Sequence, residues 1–355
     1  MTGQPKQAIR GRGAFVNLPN RFEEIAFEPD GDWLDEEQPA PQTKYFKDSS
    51  KTIITYNDSP DIRFDASINP YRGCEHGCVY CYARPTHEYL GMSAGLDFET
   101  KIMVKEDAPV LLRKELTAKK WKPQALAISG VTDCYQPIER KFKLTRQCLQ
   151  VLLDFRNPAF IVTKNHLITR DIDILQEMAQ YQCISVYISL SSLRDDLVQV
   201  MEPRTSRPQL RLKAMRELSA VGIPVGVMIA PVIPGLNDHE ISSVIEAAAD
   251  AGVDYAAYIM LRLPYSVKDL FTQFLHEHFP THKTKVIHRI QLMRGGKLNN
   301  TQFGKRFRGE GIFVEQTDKI FHNAVKKEGL NQKPHATNTA HFRVPGNDAR
   351  QTLLW

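Results

Sequence analysis

Three cysteines carry the strongest chemical signal in this chain. Cys74, Cys78 and Cys81 fall within eight residues, in the stretch NPYRGCEHGCVYCYAR from Asn69 to Arg84, with the spacing C-x3-C-x2-C. Thiolates this close suit a metal ion, an iron–sulfur cluster or a disulfide framework. Structural zinc wants four ligands. A fourth would have to come from His76, His87 or Cys134, and no second CxxC pair exists. Three cysteines on a 4Fe–4S cluster leave one iron without a protein ligand, and that iron can bind a substrate or cofactor.

Composition narrows the setting. The 355 residues are 42% hydrophobic and 25% charged, ordinary for a soluble globular protein. No apolar run reaches the roughly 18 residues of a membrane-spanning helix. The basic start, MTGQPKQAIRGRG, has no apolar segment behind it, so no secretory signal is expected and the reducing cytoplasm is the expected compartment. Clustered cysteines there point to metal or catalysis rather than bridges. A net charge of +5 permits an anionic substrate or nucleic acid without demanding one. A monomer is expected, with no membrane association.

The elements that must position the cysteines are legible in the hydrophobic rhythm. Residues 1–60 read as an irregular extension, a loop or loosely packed arm, with one short edge strand in KTIITY (Lys51–Tyr56). From 61 to 280 short apolar runs alternate with helical segments, the sign of β/α units on a parallel sheet. Six strands are expected: FDASIN (64–69), ALAISG (125–130), FIVTK (160–164), ISVYISL (184–190), PVGVMIAPV (224–232) and YAAYIML (255–261). Between them Leu144, Cys148, Val151, Leu152 and Phe155 mark one apolar helix face. Leu210, Ala214, Leu218 and Val221 mark another, ended by Gly222. Thr169 is the expected cap of the helix after strand 3. Asn237 and Glu240 fit a capping box before Ile241, Val244, Ile245 and Ala248. The fold class is therefore α/β, a partial (β/α)6 barrel two units short of the closed eight-fold barrel, with N- and C-terminal extensions. After residue 281 the rhythm is lost, except for a short helix at Asp318–Gly329. Cys148 and Cys183 are assigned to packing.

The cysteine loop follows the first strand, at the sheet end where parallel α/β proteins bind ligands. The C-x3-C-x2-C spacing, with aromatic Tyr80 before the last cysteine and six β/α units around it, resembles the radical S-adenosylmethionine (SAM) superfamily. The resemblance implies a 4Fe–4S cluster on Cys74, Cys78 and Cys81, whose open iron chelates the amino and carboxylate groups of SAM. It implies reductive cleavage of SAM to a 5′-deoxyadenosyl radical that abstracts hydrogen from a substrate, with an electron donor such as flavodoxin or ferredoxin.

The same resemblance suggests a SAM pocket. Strand 2 ends in SGVTD, where Gly130 allows close approach and Ser129, Thr132 or Asp133 can accept the ammonium protons. Lys164, at the end of strand 3, and Arg204, in MEPRTSRP beside Glu202, are candidate clamps for the carboxylate. Ser189 is placed for the ribose hydroxyls, and Tyr80 and Tyr82 are candidate neighbours of SAM.

SGVTDCYQPIE and MEPRTSRPQLRL, with the wording of the cysteine loop, resemble more closely the uncharacterised bacterial relatives of spore photoproduct lyase. That likeness implies a cysteine near the end of strand 2 as hydrogen donor. Cys134 is the nearest thiol, a few residues out of the lyase register. The glycine-rich segment Arg294–Ile312 carries Lys297, Lys305, Arg306 and Arg308 among phenylalanines, a composition that can meet phosphates and bases. Two further readings stand beside a radical enzyme of unidentified substrate: a lyase-like enzyme repairing DNA photoproducts, and a zinc-stabilised nucleic-acid-binding module.

Overall fold

A computed structural model describes residues 9–23, 41–62, 64–128, 130–333 and 337–346. Among these are ten strands: β1 (Lys44–Lys47), β2 (Ile54–Tyr56), β3 (Ala66–Ile68), β4 (Tyr71–Arg72), β5 (Lys101–Val104), β6 (Leu126–Ile128), β7 (Ala159–Thr163), β8 (Ile184–Ser189), β9 (Val225–Val232) and β10 (Tyr255–Met260). Seven form one sheet in the order β10-β9-β8-β7-β6-β3-β2. The six strands from β3 to β10 in that sheet run parallel, and β2 closes its edge antiparallel, with Ile54 opposite Ile68. These are the six strands and the edge strand expected from the sequence. Their side chains are buried almost without alternation because helices cover a parallel sheet on its faces.

A second sheet, β1-β5-β4, was not legible beforehand. Its strands are two to four residues long; β1 is exposed throughout, and the alternation of β5, with Ile102 and Val104 buried, is too short to read as a period.

Several helical details differ from expectation. Leu210 is 43% exposed; the buried face of the helix Pro208–Ala220 carries Arg211, Leu212, Ala214, Met215 and Leu218. A buried arginine takes a place that a hydrophobic stripe would assign to an apolar residue. Thr169 is not a cap. It lies inside a 3-10 segment, His166–Asp171, whose cap is Asn165 accepting from the Leu167 N–H, and its hydroxyl returns to the His166 carbonyl. Asn237 and Glu240 form no capping box. Asn237 accepts from the Ile233 N–H and donates to the Ser191 and Pro231 carbonyls, while Glu240 accepts from Ser192 Oγ and the Leu193 N–H. Both side chains are spent tying the loops after β8 and β9 together.

The two extensions are better anchored than the composition suggests. Residues 9–23 pack against the cysteine loop rather than forming a loose arm; 24–40 lie outside the described residues. On the C-terminal side the core runs across residue 280. The helices Val267–His278 and Pro280–Met293 share one apolar cluster with Val79 and Tyr80, through Phe271, Phe274, Val286 and Ile290. The second of these helices escapes sequence reading because its three buried positions stand among basic and polar residues. The last helix spans Ile312–Lys327, six residues earlier in its start than the expected Asp318.

Candidate active site

The cysteine loop leaves β3 at the C-terminal end of the parallel sheet. Gly73 and Gly77 flank the first cysteines with φ of +80° and +67°, the left-handed region that side chains disfavour. The Cys74 N–H donates to the Phe98 carbonyl at 2.9 Å. Arg84, three residues past the last cysteine, is wholly buried and draws the loop around itself. Its guanidinium donates to the carbonyls of Cys78 (2.9 Å), Gly77 (3.1 Å), Ala94 (3.1 Å) and Gly95 (3.0 Å). Its charge is met by buried Glu99, which also accepts from the N–H groups of Gly13 and Ala14 at 3.1 and 2.8 Å. Sequence reasoning passed over both residues, although Arg84 stands in the same stretch as the cysteines.

A second network faces the loop from the far strands. Tyr80 donates its phenol hydrogen to Glu202, which also accepts from Ser191 Oγ at 2.8 Å and pairs with Arg211. Burial alone would raise the Glu202 carboxyl, but Arg211, Lys164 and the Tyr80 hydroxyl hold it down at about 2. Arg211, not Arg204, is thus the partner of Glu202. Arg204 instead lies 3.3 Å from Glu75 and donates to Thr43 Oγ1. Lys164 Nζ donates to Ser189 Oγ at 2.6 Å, joining the ends of β7 and β8.

Asp133 is fully engaged. It accepts from Thr163 Oγ1 (2.7 Å) and from the N–H groups of Lys164 (2.8 Å) and Tyr135 (2.9 Å), and its Oδ2 lies 3.3 Å from His76 Nδ1. Burial opposes its charge, yet His76 and these donors pull its carboxyl down to about 2. It braces the β6 and β7 loops and has little capacity left for an ammonium group. Thr132 is similarly used, donating to the Tyr71 carbonyl. Ser129 lies outside the described residues. Gly130 offers its carbonyl to the Tyr82 hydroxyl at 2.6 Å, and Tyr82 is half-exposed. Cys134 is 1% exposed and belongs to the principal core, within electrostatic reach of Tyr71 and Tyr135. Cys148 and Cys183 are core residues, as assigned.

The three loop thiols fit a cluster. No disulfide joins any of the six cysteines. Burial pushes the Cys74 and Cys78 thiols up, Asp133 adding to the effect on Cys74 and Glu202 to that on Cys78, with the neighbouring thiols acting in the same direction. Cys81 is also raised by burial, against the pull of Arg84 and Lys164. Bare thiolates are therefore disfavoured in this pocket, and a cationic iron core would compensate them. Among the described residues no three or more Cys, His, Asp or Glu side chains, the loop cysteines included, are drawn together as around a single ion.

Comparisons with known proteins agree with this arrangement. The family described as the Radical SAM superfamily matches residues 68–248. An uncharacterised protein of Mycobacterium tuberculosis is 35% identical over 221 residues, covering 62% of this chain and 65% of the relative. The chain thus spans just under two thirds of the length of that relative. A radical SAM Nalpha-GlyT isomerase of Pseudomonas phage M6 is 25% identical, over 61% of this chain and 43% of the isomerase. Among solved structures, spore photoproduct lyase complexed with a dinucleoside spore photoproduct superposes with a TM-score of 0.58 at 16% identity, covering 80% of this chain and 79% of the lyase. At that identity the likeness is one of fold. Enzymes of the matched family use a 4Fe–4S cluster and SAM. With an open parallel α/β sheet, a three-cysteine loop at its ligand-binding end and a family match over half its length, this chain belongs to the radical SAM superfamily.

Proposed function

We propose that Cys74, Cys78 and Cys81 hold the cluster, and that SAM lies between the cysteine loop and the ends of β6, β7 and β8. When bound, the cluster and SAM supply reductive cleavage of a sulfonium and a carbon radical that takes hydrogen from the substrate. Lys164 and Ser189 then present a cation and a hydroxyl to the amino-acid and ribose portions. Glu202 stays ionised and fixes Tyr80 against the loop. The glycine turns and Arg84 hold the cysteines in register and keep water from them. The observation that carries this reading is the meeting of three unbridged thiols, two buried and Cys81 partly so, with Lys164 just past β7 and Glu202 at the end of the helix Asp195–Met201, whose charges reach Cys78 from more than eighty residues away in sequence. Flavodoxin or ferredoxin suits the role of reductant, in the cytoplasm.

Anaerobic reconstitution tests it. Four irons and four sulfides per chain are expected for the cluster class, about that stoichiometry, and dithionite with SAM should release 5′-deoxyadenosine. Replacement of Cys74, Cys78 and Cys81 by Ala should abolish both. A fully reconstituted protein that never cleaves SAM, or one that carries zinc and no iron, overturns the reading. A lyase-like repair of DNA photoproducts is the narrower proposal, supported by the shared fold with spore photoproduct lyase. It requires Cys134 to serve as hydrogen donor.

A further inference from the structure

Arg262 directly follows the last parallel strand, two residues beyond Met260. Its guanidinium carbon lies 4.4 Å from the centroid of the Phe307 ring and 5.8 Å from that of Tyr82. Among the described residues it has ring faces for neighbours but no hydrogen-bond or ion-pair partner, and its Nε is buried without an acceptor. The acid whose charge reaches it, Asp61, is already committed to Arg306 Nε at 2.6 Å and to the Gly304 N–H at 2.7 Å. A buried donor left without a partner is costly, and stacking on rings does not supply the missing acceptor. The arginine is not satisfied by its own protein.

The walls around it are fixed. Buried Arg294 donates to the carbonyls of Lys305 and Arg306, both at 2.9 Å, and to that of Leu261 at 2.6 Å. The Met260 N–H donates to the Phe307 carbonyl at 3.2 Å. These bonds clamp the segment around Phe307 onto the end of β10. Tyr82 follows Cys81 and is held by the Gly130 carbonyl. Arg262 therefore stands at the same end of the sheet as the cysteine loop, between one ring from that loop and one from the C-terminal segment. Half-exposed Tyr82 and exposed Phe303 leave further ring surface at this mouth. A planar cation with open donors beside aromatic faces recognises an oxyanion attached to a flat heterocycle.

We propose that Arg262 binds a phosphate of the substrate and that Tyr82 and Phe307 stack the attached base, so that the substrate is a nucleotide, free or within a single strand. This rests on the radical-enzyme reading of the neighbouring site. It also revises the sequence-level view of the basic segment: Arg294 and Arg306 are held by structural contacts, and Arg262, outside that segment, is an open cation at this mouth.

Equilibrium binding tests it on the reconstituted full-length protein. The probe is a short fluorescein-labelled single-stranded DNA of mixed sequence, read by anisotropy, with nucleoside monophosphates, nucleosides and inorganic phosphate as competitors. Arg262→Gln should weaken the probe or the monophosphate by about tenfold or more, the usual worth of charged hydrogen bonds. Arg262→Lys should recover part of the loss. Nucleosides, which lack the phosphate, should compete equally well against wild type and Arg262→Gln. Preference for the oligonucleotide or for the monophosphate identifies the source of the phosphate. Phe307→Leu, which removes a ring and leaves the guanidinium in place, should weaken nucleosides and nucleotides alike. The proposal fails if wild type binds neither probe, if Arg262→Gln binds within about twofold of wild type with an unchanged melting curve, or if Arg262→Gln weakens SAM instead. SAM cleavage on the same preparation separates the two readings: cleavage without nucleotide binding sinks only this proposal, and Arg262-dependent binding without cleavage sinks only the former.

Discussion

Arg84 and Glu99 form a wholly buried ion pair that joins the cysteine loop to the N-terminal strap. The arginine gathers four carbonyls from the loop and its return segment, and the carboxylate takes two N–H groups from residues 13 and 14. Removing one member of such a pair costs about 3–5 kcal/mol because the other charge is stranded. Arg84→Gln should lower the urea midpoint accordingly and reduce iron bound after reconstitution. Unchanged iron content with unchanged stability would refute the organising role.

The strap touches the loop at backbone distance. A Cβ at Gly13 would lie 1.7 Å from the Gly77 carbonyl oxygen, and neither backbone has room to yield. Gly13→Ala should therefore detach residues 9–18, read as faster limited proteolysis confined to the N-terminal segment. Proteolysis at the wild-type rate would show that the contact is dispensable.

Glu202 links acid sensitivity to the site. Its folded carboxyl, held at about 2, lies below the ordinary glutamate value, so its stabilisation is present above that value and is lost as pH falls from about 4 to about 2. Tyr80→Phe removes one donor from a buried carboxylate and should cost about 1–3 kcal/mol at neutral pH. Denaturation of both single variants and of the double variant Tyr80→Phe/Glu202→Gln should show non-additive losses. Glu202→Gln should also flatten the stability-against-pH curve between about 4 and about 2; strict additivity and an unaltered acid limb would argue against the network.

Cys134→Ala separates a packing group from a hydrogen donor. At 1% exposure in the principal core, its loss should lower the melting temperature by about one to two degrees, as deletion of about 1 kcal/mol of packing does in a chain of this size. The product formed from the true substrate should be unchanged. A new product, or exchange of solvent hydrogen into it, would restore the donor role.

Much of the frame was legible in the chain. The runs that became β3 and β6 to β10 announced themselves because parallel strands are buried on both faces and read as continuous apolar stretches. The helix faces through Cys148 and Ile245 repeat at helical spacing for the same reason. β1, β4 and β5 gave no signal, being two to four residues long, although Tyr71, Ile102 and Val104 bury one face against Ile138 and Leu144. That Lys164 and Ser189 stand at strand ends was legible; that they bond to each other was not. Nor was the true partner of Glu202, since Arg211 and Arg204 are equally basic and only the helix orientation chooses between them.

By itself the sequence determined the cysteine spacing, the order of the β/α units and the end of the sheet at which chemistry happens. These depend on local period and on a topology that parallel strands impose. Only the tertiary structure decided which charges are spent and which remain open. Asp133, Arg84, Arg211 and Arg306 are each satisfied by partners from distant segments, while among the described residues Arg262 lies between two rings with its Nε unpaired. Burial and pairing are properties of neighbours in space, and side-chain type alone does not carry them.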